Sequence, residues 1–135
     1  MYQRIILTIY ILLTILLFNS CDTNKSEKME RIVSGIKVEN YHYDLGKIQT
    51  SLCTQYPFYY SIQNITSRDV HIDSVEVSCS CLHIDHSPTE LKEFQKDSIV
   101  GHIDVMDLKG KFSRSLYVNL NNGEVLLLRV TGIVE

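Results

Sequence analysis

The sequence predicts an all-β fold, a two-layered antiparallel sandwich held behind a cleavable leader and a flexible tether. Three observations carry this. From Ile36 to Glu135, apolar and polar residues alternate in six or seven short runs, the period-two pattern of half-buried strands. Turn residues punctuate these runs at intervals of about 8–12 residues, a spacing typical of sandwiches. No βαβ pattern, internal repeat or low-complexity run interrupts them.

The leader comes first. Residues 1–20 carry one charged side chain, Arg4, then an uncharged run from Ile5 to Phe18, then the polar pair Asn19-Ser20. Positive, apolar and cleavage regions in that order are the layout of a secretory signal peptide. As a helix the apolar run would reach about 21 Å, short of a bilayer core of about 30 Å. The segment LLFNSC, ending at Cys21, resembles a bacterial lipobox, in which the cysteine becomes the lipidated first residue of the mature chain. The plainer alternative is an ordinary signal peptide cut nearby, with Cys21 a free thiol. Residues 21–35, beginning CDTNKSEKMER, hold too little apolar surface to offset their ordering entropy and read as a flexible tether. Together these predict a cell-envelope protein, lipid-anchored to a bacterial membrane at the outer membrane or the periplasmic face.

The domain follows over residues 36–135. IKVENYHYDLG (36–46) alternates as one strand and stops at a glycine. YPFYYSIQN (56–64) puts Phe58, Tyr60 and Ile62 on one face, and ITSRD after it is a turn. In VHIDSVEVS (70–78) the apolar phase slips from Val70 and Ile72 to Val75 and Val77, which predicts a bulge near Asp73 and Ser74. SPTELKEFQKD has weak helical spacing through Leu91 and Phe94. Residues 97–105 and 112–120 are further strands. Asn121-Asn122-Gly123 is the best hairpin cue, pointing to a type I′ turn. The apolar run GEVLLLRVTGIV closes the chain as a central strand. The architecture expected from these elements is an immunoglobulin-like sandwich.

Several short motifs also align with a known pattern. Asp44-Leu45-Gly46, the strand ending Asn64-Ile65-Thr66-Ser67, Cys79-Ser80-Cys81-Leu82, Gly110-Lys111-Phe112 and Gly132-Ile133-Val134 resemble, in order, the motifs of a bacterial family known as domain of unknown function 1573. The resemblance covers about residues 40–135 and implies a small immunoglobulin-like sandwich, often on a lipoprotein. Ser80 and Leu82 stand where that pattern has CGCT, Ser67 replaces its turn glycine, and its Pro-Gly turn is missing. The resemblance supplies architecture and no mechanism.

Chemistry concentrates in SCSCLHIDH, residues 78–86. With Cys21 lipidated, three thiols remain, Cys53, Cys79 and Cys81, in a compartment where disulfides persist. Residues two apart on a straight strand place their Cα atoms about 6.6–6.8 Å apart, at the upper end of the disulfide range of about 4.4–6.8 Å. A Cys79–Cys81 bond therefore needs a puckered chain, which suits reversible redox better than a staple. Zinc or copper held by Cys79, Cys81, His83 and His86 would need the chain to curl so that all four donors converge. Structural or incidental roles stand beside both readings. His42, His71 and His102 are scattered on strands, and the aromatic residues 56–60 serve the core more readily than a sugar or peptide. A net charge of -3 with no basic stripe argues against nucleic acid. No nucleophile elbow, phosphate loop, paired-carboxylate motif or HExxH occurs, and no cofactor is expected. The leading expectation is a membrane-anchored, non-enzymatic module that binds or scaffolds a protein or peptide partner. The alternative is a thiol-redox or metal-handling protein using the CSC motif.

Overall fold

Alternation of apolar and polar residues becomes ten strands: β1 (Glu30–Val33), β2 (Ile36–Glu39), β3 (His42–Ile48), β4 (Gln55–Asn64), β5 (Val70–Val77), β6 (Leu82–His86), β7 (Glu90–Leu91), β8 (Lys96–Asp104), β9 (Gly110–Leu120) and β10 (Val125–Val134). The computed structural model describes Met1, Gln3 and residues 29–135, so Cys21 and nearly all of the expected leader and tether lie outside the described residues. Two five-stranded sheets form, β1-β2-β4-β8-β6 and β3-β10-β9-β5-β7. Their inner faces meet in one core. Ile36, Val38, Phe58, Tyr60, Ile62, Ile99 and Ile103 come from the first sheet, and Leu116, Val118, Leu126, Leu128 and Val130 from the second, all buried. The fold is all-β and broadly consistent with an immunoglobulin-like sandwich.

Several expectations need correction. Glu30–Val33, within the stretch read as tether, is a strand, because it pairs antiparallel with Ile36–Glu39 across a two-residue turn. Residues 36–46 are two strands in different sheets, separated at Asn40, whose φ is 63°. Asparagine tolerates that left-handed conformation, and there the chain steps from one layer to the other. The step lays β3 beside β10 in the same direction, so the sandwich contains one parallel pair. No helix forms over residues 87–97: Leu91 enters the core by pairing with Val70, while Lys92–Gln95 turns back and leaves Phe94 exposed. The Asn121-Asn122-Gly123 hairpin is a three-residue loop in which only Gly123 has positive φ, 82°, the type I turn plus left-handed glycine rather than type I′. The slip in β5 is present, as a register shift between Ile72 and Ser74. The closing strand is central, between β3 and β9.

Candidate functional site

The CSC segment is the turn that carries the chain from β5 in one sheet to β6 in the other. Ser78 anchors its start on β9: its N–H donates to Ser115 O at 2.9 Å, and its Oγ accepts from Ser115 N–H at 2.9 Å. Leu82 N–H donates to Cys79 O at 3.3 Å and closes the turn. Asp104 N–H donates to Cys81 O at 2.8 Å and fixes the exit onto β8. This curl brings the Cys79 and Cys81 Cα atoms to 5.2 Å, and the two sulfurs are bonded as a disulfide. So short a ring stabilises little. Closing three residues constrains the unfolded chain by about 1.6 kcal/mol, against about 3 for a fifteen-residue loop. Cys53 is free and exposed, its thiol donating to Gln55 O at 2.9 Å.

The two histidines separate. His83 faces out of β6 and stacks on His102 of β8, centroids 4.9 Å apart, with the His102 Nδ1 2.9 Å from Asp85. His86 lies past a register shift that follows Ile84 and pairs with Asp97 at 3.2 Å. The Ser98 N–H, with the His86 imidazole behind it, holds the Asp97 carboxyl below the usual carboxylate range. The four-donor metal site is therefore not assembled. Both sulfurs are spent on each other, and no three His, Cys, Asp or Glu side chains converge on a metal position among the described residues.

The disulfide does line an open cleft of ≈ 310 Å³, with His83, Asp104, Asp107 and Arg114 on its walls. Arg114 escaped sequence reasoning. On β9 it shares the inward parity of Phe112, Leu116 and Val118, so its stem enters the end of the core. Its Nη1 donates to Ser113 O at 3.0 Å, while its buried Nε has no hydrogen-bond partner. The signal was present in the sequence as one charge at an apolar phase of FSRSLYV.

A second feature is the free edge of β1. Ser34 and Gly35, with φ of 49° and 81°, make a two-residue turn, so Val33 faces Ile36 as a bonded pair. Asn40 N–H donates to Met29 O at 3.0 Å, four residues along the same ladder. Bonded and non-bonded pairs alternate, so the N–H and C=O of Ile32 point away from β2, to the side where β1 has no neighbour among the described residues. Ile32 itself is 58% exposed. Arg31 holds the strand in place: its guanidinium sits 4.2 Å over the Tyr41 ring, and its Nη1 donates to Leu127 O at 3.3 Å. Some of the other edges among the described residues are blunted. Register shifts break β3 and β6, β7 has two residues, and Pro57 interrupts β4 where β2 no longer covers it. Of the aromatic run, Phe58 and Tyr60 are buried, while Tyr59 points outward with Tyr43 edge-on at 5.7 Å.

Comparison with known proteins bears on the fold. The pattern of the family described as "Protein of unknown function (DUF1573)" matches residues 36–134. A protein of unknown function from Porphyromonas gingivalis W83 superposes with a TM-score of 0.58 at 14% identity, covering 77% of this chain and 49% of that one. The PapD-like domain 7 of human CEP192 gives 0.58 at 10% identity, covering 79% and 90%. The Vibrio cholerae VesB protease gives 0.58 at 9%, covering 74% and 32%. The aligned region thus spans about half of the first of these chains and a third of the protease. At such identities the likeness is one of fold alone. No curated protein matches the chain.

Proposed function

From the premise that the chain belongs to the DUF1573 family, we propose that it is a membrane-anchored lipoprotein whose sandwich binds a protein or peptide partner without catalysis. The partner contributes an extended segment that pairs with β1. The observation that carries this reading is the regular, unblunted edge of β1, with outward-facing backbone groups at Ile32 and an exposed apolar side chain beside them. Main-chain pairing supplies affinity in strand addition, and alternate side chains supply specificity. Glu30 follows Cys21 by nine positions, a reach of at most about 30 Å. A lipidated Cys21 would therefore keep the docking edge near the membrane surface.

Ile32→Pro tests the edge directly. It removes an outward N–H and leaves the β1–β2 hydrogen bonds in place, since proline is tolerated on edge strands. Full-length protein captured from detergent-solubilised host membranes should recover a specific partner that Ile32→Val retains and Ile32→Pro loses, with unchanged circular dichroism. Recovery of the same partner by Ile32→Pro, or of none by the unaltered chain, would defeat the reading. The mass of the native N-terminus tests the anchor separately: a diacyl or triacyl adduct on Cys21 is expected, and an unmodified or absent Cys21 would remove it.

A further inference from the structure

We propose that the Cys79–Cys81 disulfide is an exchange site for protein dithiols, an activity independent of strand docking at β1. Its position comes first. The bond lies wholly within the turn between β5 and β6, outside both ladders. The hydrogen bonds of Ser78 to Ser115 and of Cys81 to Asp104 hold the turn on either side without using a sulfur. Opening the bond therefore breaks no sheet pairing.

Access and charge come next. Cys79 and Cys81 are half-buried and form part of the wall of an open cleft, so an attacking thiolate reaches sulfur without unfolding the domain. Arg114, which reaches the same cleft from the core side, brings a fixed positive charge and a buried Nε–H that no protein acceptor satisfies. Arginine keeps its charge at every accessible pH, and a cation beside a thiol favours its thiolate and makes it a better leaving group. His83 lines the same wall. Asp104 is turned to the backbone, its Oδ1 accepting from Met106 N–H at 3.0 Å.

The step balances without any other reactant. One thiolate of an incoming dithiol attacks the Sγ of Cys79 or Cys81. The S–S bond breaks, and its electron pair leaves on the other cysteine as a thiolate beside Arg114. The second thiol of the dithiol, after losing its proton to solvent, attacks its own sulfur in the mixed disulfide and closes a disulfide in the substrate. The substrate loses two electrons, and Cys79 and Cys81 gain them, taking two protons from solvent as the thiolates are protonated.

The test uses the full-length chain in detergent carrying Cys53→Ser, which removes the exposed thiol that would otherwise scramble. It is equilibrated in buffers of reduced and oxidised dithiothreitol, trapped by alkylation and weighed. A single reversible two-electron transition, with far-UV circular dichroism unchanged, is the expected result. Arg114→Gln should slow reduction severalfold and move the alkylation profile of the reduced pair to higher pH, with Arg114→Lys recovering part of both. A disulfide that resists reduction until the chain unfolds would overturn the proposal. So would an Arg114→Gln chain, or an Arg114→Lys chain if the former does not fold, with rate and profile both unaltered.

Discussion

Asn64, fully buried at the end of β4, shows how one polar side chain can hold two loops. Its Nδ2 donates to Arg68 O at 2.6 Å, Lys92 O at 3.0 Å and Leu91 O at 3.1 Å, while its Oδ1 accepts from the N–H and hydroxyl of Thr66. An aspartate of the same shape would turn an oxygen toward three carbonyls. Asn64→Asp should therefore cost about 3 kcal/mol, the penalty of burying an unmatched acceptor, read as a lower urea midpoint at unchanged slope. Tyr60 is the other buried group with a polar end, its hydroxyl donating to Arg129 O at 2.6 Å. Burial, with Tyr43 adding to it, pushes its phenol well above the ordinary tyrosine value. Below pH of about 10 the folded and unfolded chains are both protonated here and the contribution is intact. Above it the unfolded phenol ionises first, so stability falls as pH rises toward the folded value. Tyr60→Phe should lose about 1 kcal/mol at neutral pH and then decline less steeply than the unaltered chain above pH of about 10. Parallel alkaline curves would contradict this.

Between strands, the most instructive element is the bulge joining β3 and β10. Gly46 has φ of 67°, and its N–H donates to Asp44 Oδ1 at 3.0 Å, so Asp44-Leu45-Gly46 makes the extra residue that shifts the pairing between Thr131 and Ile133. Gly132 sits opposite, where a Cβ would lie 2.8 Å from the Phe112 ring and 3.3 Å from Gly46 O. Three of the short motifs thus meet at one structural joint. Gly132→Ala should displace Phe112 and cost about 1–3 kcal/mol, as overpacking does, measured by chemical denaturation; a neutral result would mean the ring relaxes freely. Most strands were legible because each buries one face and so alternates. The break at Asn40 was missed although it left a signal: Ile36 and Val38 face the core, and after Asn40 Tyr41, Tyr43 and Leu45 pack on it one residue out of step. β1 was hidden because an edge strand of sequence ERIV buries little. At the cleft, spacing alone left disulfide and metal open. The deciding curl depends on Ser115 and Asp104, which are remote in sequence from the cysteines they position.

Across the whole molecule, stability rests on pairings far apart in the chain. His42 pairs with Arg129, and Gln55 with Asp104, so neither sheet closes until distant segments meet. Loop-closure entropy is spent before those contacts form, and folds of this kind reach the native state in milliseconds to seconds rather than microseconds. The first and last strands are not equivalent in this scheme. β1 is four residues at an edge, paired on one side only among the described residues, with Glu30 and Ile32 exposed. β10 is ten residues between two neighbours and contributes Leu126, Leu128 and Val130, all fully buried, to the core. Without β10, the strand β3 has no partner among the described residues and β9 keeps only its pairing with β5. Deleting residues 29–33 should therefore leave a folded domain with a melting point lower by a few degrees and no partner binding. Deleting residues 125–135 should leave a chain with no cooperative transition by circular dichroism or calorimetry. A cooperative melt in that second deletion would mean that the β2-β4-β8-β6 layer folds without its cover, and that the sandwich is not the cooperative unit argued for here.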